Sequence, residues 1–159
     1  MKNHWSLTLF LTALTLLSVC LSTSAQRKPD SEVVITIERG ACFGSCPIYS
    51  AQIYADGTVI YRGVDFVKIK GNRRHRIPKD RVNELIKAFE QINYFSLKER
   101  YDTDENGRSV TDMPTTTTSI SWNGKYKKVI DYYYSPKELV TLEDLIDKLA
   151  GLNKYIGPL

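Results

Sequence analysis

Cys42 and Cys46 have more chemistry open to them than any other residues in this chain. They lie in the stretch RGACFGSCPIYS, separated by three residues, and the third cysteine, Cys20, falls in an apolar N-terminal run. Such a pair can cycle between thiol and disulfide, hold a soft metal ion, or close a covalent staple. Thioredoxin-type redox motifs have two intervening residues and a helix N-terminus that depresses the first thiol's pKa. Here strand-like segments flank the pair, and Pro47 disfavours helix at Cys46. Thiolates suit Cu(I), so a copper site would use Cys42 and Cys46 with His75 as a third ligand. His75, however, stands in the basic run RRHR, where a solvated surface residue is the simpler reading. In an exported chain, two nearby cysteines usually pair, so a structural disulfide is expected, with thiol redox or Cu(I) handling as the alternative. The closed loop would pin Phe43, Gly44 and Ser45, with Phe43 either plugging the core or exposed as a contact residue.

Other residue clusters offer less. Asp102, Asp104 and Asn106, followed by Gly107, match the first half of a calcium loop, in which alternate oxygens converge on one ion. Its twelfth position is Met113 rather than a bidentate glutamate, so a solvated acidic loop is the better reading. Lys68, Lys70, Arg73, Arg74 and Arg76, with Lys79 and Arg81 close behind, form a basic cluster. It suits an anionic partner such as an envelope polymer, or it protects a sheet edge from aggregation. Tyr132, Tyr133 and Tyr134, with Trp122, could present rings to a sugar or peptide. Catalysis lacks its usual parts: there is no Gly-x-Ser-x-Gly, no zinc-ligand cluster, and of the two histidines only His75 lies outside the N-terminal run. The expectation is a non-catalytic binding or interaction module without a cofactor.

The elements that must position these residues follow from periodicity. EVVITIE alternates as a half-buried strand. IYSAQIYADGTVIYRG reads as a hairpin around Asp56-Gly57, where glycine accepts the positive φ of the turn. DFVKIKGNRRHRI reads as a second hairpin turning at Gly71-Asn72. Val82, Leu85, Ile86, Phe89 and Ile92 then recur at helical spacing after Pro78. Residues 96–114 lack periodicity and read as a long loop. TTTTSISWNGKYKKVIDYYY is a third hairpin with Asn123-Gly124 at its turn, and Ser135 to Glu138 form a capping box. Leu139, Leu142, Leu145, Ile146 and Leu149 supply the stripe of a second helix. The expected fold is α+β: an antiparallel sheet of hairpins with two amphipathic helices on one face, in the order strands, helix, strands, helix.

The N-terminus pairs Lys2 with an apolar run from Leu7 to Leu21 and small residues before Ala25, the pattern of a signal peptide cleaved after Ala25. The alternative is a lipoprotein anchored at Cys20. Residues 1–25 are thus assigned to the signal, 26–31 to a short linker and 32–159 to one domain. After processing the chain is not transmembrane, and it belongs in the periplasm or outside the cell. A net charge of +4 is modest, and an exported chain is not expected to meet nucleic acid. Its partner would be an anionic envelope component or an envelope protein.

CFGSCPIYSAQIYADGTVIYRG resembles a bacterial family of exported domains of unknown function, marked by Cys-Phe-Gly-x-Cys-Pro-x-Tyr and a following Gly-turn hairpin. The resemblance rests on Cys42, Phe43, Gly44, Cys46, Pro47, Tyr49, Asp56, Gly57, Tyr61 and Gly63. It extends more loosely through Asp112 to Thr115 and Asn123-Gly124, over about residues 33–150. It implies no activity.

Overall fold

The computed structural model describes residues 32–104 and 106–157; the expected signal peptide, the expected linker and Cys20 lie outside them. Seven strands form one sheet: β1 (Val33–Arg39), β2 (Ile48–Tyr54), β3 (Thr58–Asp65), β4 (Gly71–Arg76), β5 (Arg100–Tyr101), β6 (Thr116–Trp122) and β7 (Lys125–Asp131). Their order is β4-β3-β2-β1-β6-β7-β5. The first strand in sequence is therefore central, paired with β2 on one side and β6 on the other. The sheet is mixed, because β5 runs parallel to β7. That corrects the expectation of a wholly antiparallel sheet: β5 lies within the segment read as loop, and two residues carry too short a pattern to be seen.

Two long helices, α1 (Lys79–Gln91) and α2 (Lys137–Leu149), and the short α3 (Asn153–Ile156) complete an α+β fold. Alternation puts Ile35, Ile37, Tyr49, Ala51, Ile53, Val59, Tyr61, Ile120 and Val129 on one face of the sheet. These pack with Val82, Leu85 and Phe89 of α1 and Leu139, Leu142 and Ile146 of α2 in a single core. Each such side chain contributes about 1.5–3 kcal/mol on burial. The opposite face of the sheet receives neither long helix.

Two local expectations give way to longer-range bonding. Residues 66–70 do not form the first arm of a hairpin; they connect β3 to β4, which pair directly. Phe66 takes a positive φ of 50°, and the Lys68 and Ile69 amides donate to the Ile156 and Tyr155 carbonyls. A backbone donor satisfied by the C-terminal turn is not available to a ladder. The capping box is also not formed. The Ser135 hydroxyl donates to Asp131 at 2.8 Å, and α2 starts after Pro136 without a side-chain cap.

Candidate functional site

β1 ends at Arg39, and the chain then makes the loop that carries the cysteines. Cys42 and Cys46 are joined in a disulfide, with their Cα atoms 5.8 Å apart. The Gly40 amide donates to the Thr115 carbonyl at 2.7 Å and the Phe43 amide to Asp112 at 3.5 Å, so the loop lies against residues 112–115. Gly44 has φ near +148°, a conformation that side-chain-bearing residues rarely adopt. Phe43 is 90% exposed. It is therefore not a core plug.

A largely buried polar network lies between the sheet and α2, with the exposed Asp144, 3.2 Å from Arg39, at its outer rim. Period-two alternation places Arg39 on the same face as Ile35 and Ile37, inside rather than outside. Its guanidinium donates to Asp147 at 2.9 and 3.1 Å, to Tyr49 at 3.0 Å and to Thr116 at 3.2 Å. Tyr49 in turn donates to the other oxygen of Asp147 at 2.5 Å. Burial works against the charge on Arg39, but the adjacent Asp147 outweighs it and the guanidinium pKa rises. Burial, reinforced by Asp147, likewise pushes the Tyr49 hydroxyl up. Glu143 lies 3.9 Å from Arg39, and its second oxygen, Oε1, is buried without a hydrogen-bond partner among the described residues. Burial first, then the charge of Asp131, pushes its carboxyl up to about 8.

The uncovered face of the sheet has a different character. Strand pairing aligns its side chains in two rows. One runs Arg74, Ile60, Gln52, Thr36, Ser119, Lys128; the next runs Asn72, Arg62, Ser50, Glu38, Thr117, Ile130. Every residue of both rows except Ser119 lines an open groove of about 830 Å³. Ser119 is buried below it and shares a 2.6 Å hydroxyl bond with Thr36. Arg62, Arg74 and Lys128 stand against the single acid Glu38. Among the described residues neither Arg62 nor Lys128 forms an ion pair. The groove is polar, cationic and accessible.

A family model described as Domain of unknown function (DUF6438) matches residues 33–150, from the first strand to the end of the second long helix. The chain belongs to this family. No curated protein matches the chain. Within the DUF6438 domain, the singled-out motif residues are spread over several structural roles. Asp56 caps its own turn, accepting from the Thr58 amide at 2.8 Å. Gly57 and Gly63 lie where a Cβ would meet the carbonyl oxygens of Ile77 and Ile69. Tyr61 packs between Tyr49 and Tyr155.

The other candidates are dispersed. Lys70 pairs with Asp65 and Arg76 with Asp56, while Lys68 lies beside Gly157. Arg73 and Arg74 both line the groove, but Arg73 is in register with Tyr61 and only Arg74 shares the uncovered face. His75 is not near the cysteines. It pairs with Val59 near the turn end of the β2–β3 hairpin, whereas Cys46 precedes Ile48 at the opposite end of β2. Its ring bonds the Ala150 carbonyl at 2.8 Å and the Tyr155 hydroxyl at 3.2 Å. Asp104 accepts from the amides of Asn106 and Arg108 and from the Arg108 side chain, and Asp102 accepts from Arg100. Among the described residues no three or more His, Cys, Asp or Glu side chains gather as a metal cluster, and no helix is long and apolar enough to cross a membrane. Of the aromatics, Tyr132 accepts from the Met113 amide at 3.1 Å, while Trp122 packs on the core.

Arg39, Glu143 and Asp147 were not singled out from sequence, although a signal was there. Arg39 falls in phase with Ile35 and Ile37, and Glu143 and Asp147 interrupt the apolar stripe of α2 at positions that face the sheet. Arg62 and Lys128 carried none, since an arginine and a lysine at outward strand positions look like ordinary surface.

Proposed function

We propose that this chain is an exported, non-catalytic binding domain, held at one end by the Cys42–Cys46 disulfide, that takes an anionic ligand on the uncovered face of its sheet. The observation that carries the reading is the placement of Arg62, with Lys128 at the far side of the same groove. Edge protection accounts for cations on β4, which is an edge strand. It does not account for Arg62 on β3, which is paired on both sides, with Ser50 of β2 and Asn72 of β4. Lys128 lies on β7 where β5 pairs only Ile130 and Asp131, so it guards an open edge as well as facing the groove. Cations collected over a polar concavity raise the local concentration of anions. The export reading draws support from the N-terminal pattern and from the disulfide, which persists in oxidising compartments.

The test is retention of the purified protein on a heparin matrix at low salt. Changing Arg62, Arg74 and Lys128 together to Ser should abolish retention, whereas changing Lys70 and Arg76, which lie outside the groove, should leave most of it. A wild-type protein that passes through unretained at low salt would overturn the reading.

A further inference from the structure

We infer that the ligand is an extended acidic glycan laid across the strands, its carboxylates met by Arg62 and Arg74 at one end and by Lys128 at the other. This rests on the proposed binding reading and adds the chemical class of the ligand. The first argument is distance. Arg74 and Lys128 occupy the two ends of one row, on β4 and β7, five strand spacings or about 24 Å apart. A lone phosphate needs converging donors to be held tightly, and it cannot touch both ends. A chain can.

The second argument is what lies between. Gln52, Ser50, Thr36 and Thr117 fill the middle of the groove, and their amide and hydroxyl groups both donate and accept. Sugar hydroxyls and ring oxygens need that mixture. Glu38 lies in the same middle stretch. A carboxylate there accepts from sugar hydroxyls, whereas a polyphosphate chain brings it only further negative charge and no hydroxyl to donate. Half-buried Ile60 and Ile130 add apolar patches to the floor, suited to the C–H faces of sugar rings. Tyr126 is on the same face two residues before Lys128 and is 66% exposed, an amphipathic ring free to stack on one. An extended acidic peptide would look instead for unpaired backbone at a sheet edge, which a sheet face does not offer.

The experiment titrates the purified full-length protein by calorimetry with oligogalacturonates of increasing length. Polyphosphate, poly-glutamate and an uncharged galactan are run beside them. We expect galacturonate to bind and its affinity to rise by about tenfold once the oligomer reaches both flanks, because the second contact is then intramolecular. Lys128→Ser should remove that length gain while leaving short oligomers unaffected, and Glu38→Gln should strengthen polyphosphate binding. Polyphosphate or poly-glutamate binding as tightly as galacturonate would overturn the glycan assignment and leave the anion-binding reading standing. So would equal binding of the uncharged galactan, or a length dependence that survives Lys128→Ser. No binding by any polyanion would overturn both.

Discussion

The hydroxyl of Tyr49 on β2 donates to Oδ1 of Asp147 on α2, 98 residues further along the chain, at 2.5 Å. Arg39 on β1 donates to the opposite oxygen of the same carboxylate, so a single side chain ties the helix to two neighbouring strands. Removing one partner leaves the others desolvated and incompletely paired. Tyr49→Phe should therefore lose about 1–3 kcal/mol, and Arg39→Met about 3–5 kcal/mol because it strands a buried carboxylate. Urea denaturation midpoints check both. The double variant should lose less than the sum, since the two side chains share one acceptor. Simple additivity would show that they act separately.

Glu143 gives stability a pH dependence. Its folded pKa, up to about 8 against an ordinary 4.5, means that the folded state keeps a proton the unfolded chain has released. That contribution is complete below 4.5 and falls as pH rises toward about 8, by roughly 1 kcal/mol per pH unit. Asp131 and Asp147 are also raised, by their own burial, and act with the same sign. His75, whose burial lowers its pKa from 6.5, acts with the opposite sign, adding stability as pH rises to its ordinary value. The clean window thus lies between 6.5 and about 8. Melting temperature should decline across it, and Glu143→Gln, which copies the protonated form, should flatten the decline. An unchanged slope in that variant would assign the effect elsewhere.

The glycines separate crowding from conformation. A Cβ on Gly63 would run into the Ile69 carbonyl oxygen and come 2.7 Å from the Tyr61 hydroxyl. Gly71 has φ near +81° with nothing close to its missing Cβ. Gly63→Ala should cost about 1–3 kcal/mol through overpacking, and it should weaken the bond from Tyr61 to the Ile69 carbonyl. Gly71→Ala should cost about 1–2 kcal/mol from backbone strain alone and leave that bond intact. Thermal melts rank the two, and an amide spectrum of residues 66–70 tells them apart.

How much of this was legible depended on how far apart the determining residues lie. The turns at Asp56-Gly57 and Asn123-Gly124 join paired strands, and both long helices start one residue after a proline. Each of these is set within about a dozen residues. The central position of β1 is not, because Thr36 meets Ser119 across 83 residues of sequence, and no local period records that. The same holds for β5 beside β7, for the amides of Lys68 and Ile69, and for Ser135, which prefers Asp131 to its own helix. The groove was illegible for a further reason. Arg62 and Lys128 become members of one surface only when four strand pairings set the register, and a shift of one residue would turn either inward.

The disulfide closes a loop with a sequence separation of 4, and a closure so short contributes only about 2 kcal/mol through the unfolded chain. Changing Cys42 and Cys46 together to Ala should lower stability by about that amount, read from denaturation midpoints under non-reducing conditions. It should leave polyanion retention intact, because the groove residues lie on the strands rather than in the loop. Phe43→Ser provides the companion measurement. Its ring is 90% exposed, so stability should change by no more than about 0.5 kcal/mol. The unreduced protein should take up no alkylating reagent at either cysteine. Two reactive thiols, or a larger stability loss from Phe43→Ser than from the cysteine pair, would show that the loop is held by packing of the ring and not by the sulfur bridge.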